Sequence, residues 1–156
     1  MAAGDIQLEK IDASNWRETL EIRAGAGQLR FVAGHEPVAL VMLSKSYVRP
    51  GGLTWEPFGI RCGETMVGIV ALAHADTTCE VFHLLIDHSR QREGLGKATM
   101  QAIVCHVISE MPSISELKLT VHPRNEPALV LYRSAGFRPT GEHRDSELIW
   151  RLKLER

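Results

Sequence analysis

Residues 79–111 read CEVFHLLIDHSRQREGLGKATMQAIVCHVISEM. Val81 to Ile86 is an apolar run of strand length, and Asp87 to Glu93 is polar without periodicity. From Gly94 onward Met100, Ile103, Val104, Val107, Ile108 and Met111 recur at the spacing that lines one helix face. A strand therefore passes through a polar turn into a helix that opens with Gly94-Leu95-Gly96. The first turn of a helix presents N–H groups without intrahelical partners at the positive end of its dipole. Glycines let a ligand approach that backbone closely, and Arg92 and Lys97 add positive charge beside it. A phosphate or pyrophosphate is the natural occupant. A Gly-x-Gly at a helix start can also serve packing alone.

Working outward, the flanking chain alternates strands and helices. Asp5 to Ile11 reads as a short strand, and Ser14 or Asn15 can cap a helix that starts at Trp16 and fades near Gly25. Glu36-Pro37 restarts a helix in which Leu40, Leu43 and Tyr47 share a face, until Arg49-Pro50-Gly51-Gly52 stops it. Trp55–Cys62 and Thr65–His74 read as a hairpin turning at Gly63-Glu64. Met66 to Ala73 is apolar almost throughout, so that strand is expected to be covered on both faces. Beyond the long helix, Glu116 to Val121 alternates as a strand, and Asn125 caps a helix with Pro127 in its first turn and Gly136 past its end. Leu148, Trp150, Leu152 and Leu154 alternate in a closing strand. This order predicts one α/β domain over residues 1–156 with a mixed sheet and about four helices.

Composition narrows the partners. With 44% hydrophobic and 24% charged residues the chain is ordinary for a soluble globular protein. A net charge of −1 gives no basic field to recommend nucleic acid. No apolar stretch approaches the roughly 18 residues of a membrane span. MAAGDIQLEK lacks a basic region followed by an apolar core, so no secretory leader is expected. Cys62, Cys79 and Cys105 have neither Cys-x-x-Cys nor His-rich partner spacing. They read as reduced thiols of a cytoplasmic protein, and no metal site is expected.

Two phosphate-binding patterns can be set aside. Ala98 follows Lys97 where a P-loop needs Ser or Thr, and Thr99 stands where a dinucleotide fingerprint needs its third glycine. What remains is Gln91-x-x-Gly94-x-Gly96, followed by Asn125-x-x-Ala128-x-x-Leu131-Tyr132-x-x-x-Gly136-Phe137. These blocks resemble, in order and spacing, the two signatures of the GNAT superfamily of N-acetyltransferases. The resemblance implies the GNAT fold, in which a central sheet splays around the pantetheine arm, with acetyl-CoA as the donor and a homodimer as a common state. It places the cofactor at Gln91, Arg92, Gly94, Leu95, Gly96, Lys97 and Asn125. It adds an oxyanion-binding N–H around Leu84 or Leu85, on a bulged strand, and an Ile86 amide that bonds pantetheine.

The same resemblance suggests the chemistry. An alkylammonium must lose its proton before it can attack, the oxyanion needs donors in place, and the departing thiolate benefits from an acid. Tyr132 is the implied acid, against the alternative of a core tyrosine on a helix face. Glu80, at the start of the central strand, is either the general base or a carboxylate at a strand end, and some relatives use a water chain. His83 interrupts an apolar strand as a hydrogen-bonded core residue or as a substrate contact. No Cys-linked acetyl intermediate is expected.

For the acceptor, Arg49 to Pro57, Leu29 to Ala33 and Val81 to Asp87 look like the small bacterial spermine/spermidine (diamine) acetyltransferases. A polycation needs carboxylates along its channel. Glu36, Glu56 and Glu80 are the candidates, although Glu36 can be a helix N-terminal charge and Glu56 a solvated strand start. A di- or polyamine is thus the expected small-molecule substrate. An antibiotic, an amino acid, or a protein N-terminus or lysine are alternatives, as is an acyl-CoA sensor without turnover.

Overall fold

The computed structural model describes residues 5–156. Met1 to Gly4, the start of the segment judged to carry no secretory leader, lie outside the described residues. Seven strands form one sheet: β1 (Ile6–Lys10), β2 (Thr54–Cys62), β3 (Thr65–Ala75), β4 (Thr78–Ile86), β5 (Glu116–Val121), β6 (Arg138–Arg144) and β7 (Glu147–Lys153). Their order is β1-β2-β3-β4-β5-β7-β6, antiparallel at every step except the parallel pair β4–β5. Five helices accompany them: α1 (Trp16–Thr19), α2 (Leu29–Val32), α3 (Val38–Val48), α4 (Leu95–Glu110) and α5 (Glu126–Ser134). No helix is long and apolar enough to cross a membrane among the described residues.

The sheet separates two apolar cores. On one side Phe58, Val70, Leu72 and Val81 pack with Met100, Ile103 and Val107 of α4 and with Phe137 and Trp150. On the other, Trp55, Ile69, Ala71 and Ala73 pack with Val38, Ala39 and Met42 of α3. Met66 to Ala73 is buried on both faces, which explains its near-continuous apolar sequence.

The largest departure from the sequence reading is at α1. Its helix stops at Thr19, and the chain then delivers Ile22 into the second core. The Arg23 N–H donates to Asp87 Oδ1 at 2.8 Å, and the His88 N–H donates to the Arg23 carbonyl at 2.9 Å. Pairing with the loop after β4 wins over continued helix. Asn15 does not cap with its side chain; its Nδ2 donates to the Lys10 carbonyl at 2.9 Å. The one-turn helix α2 had no sequence signal, and with it the α-helices number five among the described residues.

Two local features open the site. Strands β4 and β5 pair only at Thr78↔Glu116, Cys79↔Leu117 and Glu80↔Lys118, and then part. On the other edge of β4, Ala71 pairs with Phe82 and Ile69 with Leu85, so Val70 alone stands opposite both His83 and Leu84. That is a β-bulge, and His83 adopts φ +55° within it, a region side-chain-bearing residues seldom occupy. Gly68 pairs with Ile86 just beyond the bulge, and a Cβ there would drive into the Leu85 carbonyl oxygen. Gly68→Ala should therefore destabilise the protein by about 1–3 kcal/mol in urea unfolding. An unchanged midpoint would show that β3 and β4 can separate at no cost.

Candidate active site

The loop between β4 and α4 is built by side-chain bonds. Asp87 accepts from the Ser89 N–H at 3.1 Å as well as from Arg23. Gln91 Nε2 donates to the Ile86 carbonyl at 3.0 Å and to Gln28 Oε1 at 2.8 Å, and Gln28 Nε2 returns a bond to Gln91 Oε1 at 3.1 Å. Arg92 (φ +66°) and Gly94 (φ +77°) turn the chain into α4, with Gly94 as its N-cap. The Ala98 N–H donates to the Gly94 carbonyl at 3.2 Å. Helix geometry leaves the N–H groups of Leu95, Gly96 and Lys97 ahead of that bond without helical partners.

Those groups face a cavity of about 670 Å³. It runs from Leu84, Leu85 and Ile86 of β4, past Gln91, Arg92, Gly94, Leu95, Gly96 and Lys97, to Asn125 and Tyr132. Every position expected at the cofactor site lines it. A Cβ on Gly96 would lie 3.4 Å from Leu131 Cδ2, so any larger side chain there projects between α4 and α5. Asn125 Oδ1 accepts from the Ala128 N–H at 3.4 Å, which fixes the start of α5.

A second cavity of about 360 Å³ opens on the other side of the bulge. Phe31, Val32, Leu84, Asn125 and Tyr132 line both cavities and form their junction. Burial, then the charge of Glu147, pushes the Tyr132 phenol up to about 12. It stays protonated at neutral pH. Burial likewise pushes the Cys79 thiol up to about 12, which leaves it inert as a nucleophile. No disulfide joins the three cysteines.

In the second cavity, His83 Nδ1 lies 2.7 Å from the Val32 carbonyl, which can only accept, so Nδ1 carries the proton. Nε2 is then an acceptor, and Lys45 Nζ donates to it at 3.0 Å. Burial, then the Lys45 ammonium, pushes the imidazole down to about 4. Burial also lowers the Lys45 ammonium.

The profile of the acetyltransferase (GNAT) family matches residues 16–137. The chain belongs to that family. Over 63 residues it is 35% identical to N-acetyltransferase family 8 member 3 of Mus musculus, a match spanning 40% of the chain but only 27% of that relative's length. Its fold resembles the spermidine N-acetyltransferase of Vibrio cholerae, solved with CoA and spermine, at a TM-score of 0.72, 14% identity and 96% coverage of both chains. It also resembles the aminoglycoside acetyltransferase AAC(6')-Ib, solved with an aminoglycoside and acetyl-CoA, at a TM-score of 0.75, 16% identity and coverage of 94% and 92%.

Acetyl-CoA is the acyl donor of this GNAT family, and the larger cavity fits it. The cavity's volume is in the range of small-molecule sites, and its free N–H groups lie beside Arg92 and Lys97. The expected acidic channel is a different matter. Glu36 lies 3.7 Å from Arg23, Glu56 lies 3.2 Å from His74, and both oxygens of Glu80 are held by the Arg144 guanidinium. None of the three lines the second cavity, whose walls instead carry Arg30, Lys45, His83, His122, Arg144 and the single carboxylate Glu147. Lys45, Arg144 and Glu147 escaped the sequence reading because no local pattern marks them; only the fold brings them together. No cluster able to hold a metal occurs among the described residues.

Two outcomes follow from this geometry. Gly96→Glu puts a carboxylate where an anion belongs and fills the space before Leu131, so acetyl-CoA binding measured by calorimetry should be lost; retained affinity would move the site elsewhere. The His83 value lies below the ordinary 6.5, so the unfolded chain binds the extra proton. The stability is fully present above pH 6.5 and is lost as pH falls toward 4, by about 3 kcal/mol in all. In urea titrations across that window His83→Asn, which tolerates the positive φ, should show an acid loss smaller by most of that amount.

Proposed function

We propose that this chain is an acetyl-CoA-dependent N-acetyltransferase in which a primary amine attacks directly within a ternary complex. The observation that carries the reading is the meeting of two cavities at the β4 bulge, with Tyr132 at their junction. Acetyl-CoA, when bound, supplies the thioester: the amine nitrogen bonds to the acetyl carbon, the C–S bond breaks, and the amine's proton replaces carbon on sulfur. The α4 N-terminus, with Arg92 and Lys97, holds the pyrophosphate. Leu84, Leu85 and Ile86 orient the pantetheine arm and provide the N–H for the developing oxyanion. Tyr132 donates its hydroxyl proton to the departing sulfur and is restored by the proton that the amine gives up to the carboxylate, so the net transfer is from nitrogen to sulfur. That sulfur gains basicity as the same burial desolvates it.

The proton leaves the amine toward a carboxylate. Glu80 is locked to Arg144 and its oxygens are occupied, so it serves to position that arginine. Glu147 lines the acceptor cavity with Tyr132, and it is the group in place to receive the ammonium. The chain is read as one cytoplasmic domain, supported by a single sheet from Ile6 to Lys153 and by the absence of disulfides. A di- or polyamine acceptor draws support from the likeness to the Vibrio cholerae enzyme, but the cavity charge opposes it. A primary amine of a small molecule is the substrate class the reading carries.

Free-thiol release from acetyl-CoA against a panel of amines tests it. Tyr132→Phe should lower kcat about 10²-fold or more, while acetyl-CoA affinity stays within about twofold, since only the acid is removed. Unchanged turnover would remove the acid role. Acetyl-CoA binding with no turnover on any amine would leave an acyl-CoA sensor.

A further inference from the structure

Lys45 reaches the acceptor cavity from the last turn of α3 and is held there on three sides. Its ammonium donates to His83 Nε2 at 3.0 Å and lies 5.6 Å and 5.5 Å from the ring centroids of Trp55 and Phe82. Those two rings stack at 4.6 Å, so they form a fixed wall. A lysine side chain normally keeps its rotamer freedom and its water. This one is fixed by those contacts and has lost part of its water, and the bulge that aims His83 at it requires an unfavourable backbone conformation.

The charge so fixed has no direct counter-ion. Among the described residues no carboxylate lies within 4 Å of the Lys45 ammonium. Arg144, the neighbouring cation, is already matched by Glu80, and Glu147 remains as the carboxylate on the cavity wall. With Arg144 matched by Glu80, the cavity wall keeps Lys45 and Arg30 as positive groups and Glu147 as the one carboxylate, and Lys45 is the cation held in a fixed position. Glu80 attracts this ammonium only from beyond bonding distance, so an anion supplied by the ligand would offset more of its desolvation cost. A second cation there would meet like charge.

We propose that the acceptor amine also carries a carboxylate, which Lys45 binds while Glu147 faces the ammonium. This rests on the N-acetyltransferase reading and narrows its substrate to amino-carboxylates small enough for about 360 Å³. His83 is a positioning residue: neutral, it accepts from Lys45 and keeps the ammonium aimed into the cavity.

Matched pairs that differ only by the carboxylate test this: phenylalanine and phenethylamine, histidine and histamine, ornithine and putrescine. Thiol release from acetyl-CoA is measured for each, with spermidine alongside. The carboxylate member of at least one pair should show kcat/KM tenfold or more above its partner, expressed mainly in KM. Lys45→Met should collapse that ratio toward one with acetyl-CoA affinity retained, and Lys45→Arg should preserve it. Turnover confined to the decarboxylated amines or spermidine overturns the proposal and leaves the acetyltransferase reading intact. A ratio that survives Lys45→Met overturns the assignment to Lys45. Should no amine turn over, the acetyltransferase reading fails, and the same pairs are titrated into the complex with CoA by calorimetry. Preferential binding of the carboxylate member, lost in Lys45→Met, then still supports the lysine's role; equal binding overturns it.

Discussion

After three ladder pairs β4 and β5 part, and the proposed site depends on that parting. Backbone N–H and C=O groups must find partners when they leave a sheet. The molecule meets part of that demand itself, since Gln91 donates to the Ile86 carbonyl. The rest opens into the larger cavity, where an extended ligand bearing amides can pair with strand edges much as a strand would. The bulge at His83 and Leu84 acts on the opposite edge of the same strand, and it gives that stretch of β4 two working faces. Gly68 permits this, because only a residue without Cβ lets β3 stay close to the Leu85 carbonyl.

The electrostatics of the two cavities differ in kind. In the larger one the positive end of α4 and its flanking basic residues stand near solvent, which suits a mobile pyrophosphate. At the junction and beyond it, burial sets the protonation states. It holds Tyr132 neutral, holds His83 neutral, and weakens the Lys45 ammonium. Neutral His83 is what allows Nε2 to accept from Lys45; a protonated imidazole would repel it. The bulge, the tautomer and the lysine are thus one device, and each presupposes the others.

Much of the lining of the larger cavity was legible in the sequence. Its residues lie within Leu84 to Lys97, where a period-3.6 face begins after an aperiodic loop, and in the helix that Asn125 starts. Such signals are local, and local physics produces them: free N–H groups at a helix start, glycine at a positive φ. The α1 segment shows where this fails. Its helical spacing was overruled when Arg23 paired with the loop after β4, residues 64 positions away. The one-turn helix α2 has no stabilising period of its own, yet its Val32 carbonyl fixes the His83 tautomer.

The lining of the smaller cavity was less legible, for a more general reason. Glu36, Glu56 and Glu80 were chosen as carboxylates near the cleft, each considered alone. In the fold each finds a cation or histidine of its own chain, and the sign of the cavity passes to groups that were not paired off. Glu80 is the clearest case, because Arg144 comes from a strand near the end of the chain. Position along a strand can tell which residue stands at a cavity, but the charge a ligand meets is what remains after internal pairing. That remainder is a property of the packed molecule. Here it is Lys45 and Arg30 against Glu147, and that remainder is why a ligand with both signs of charge is proposed over one with many of the same.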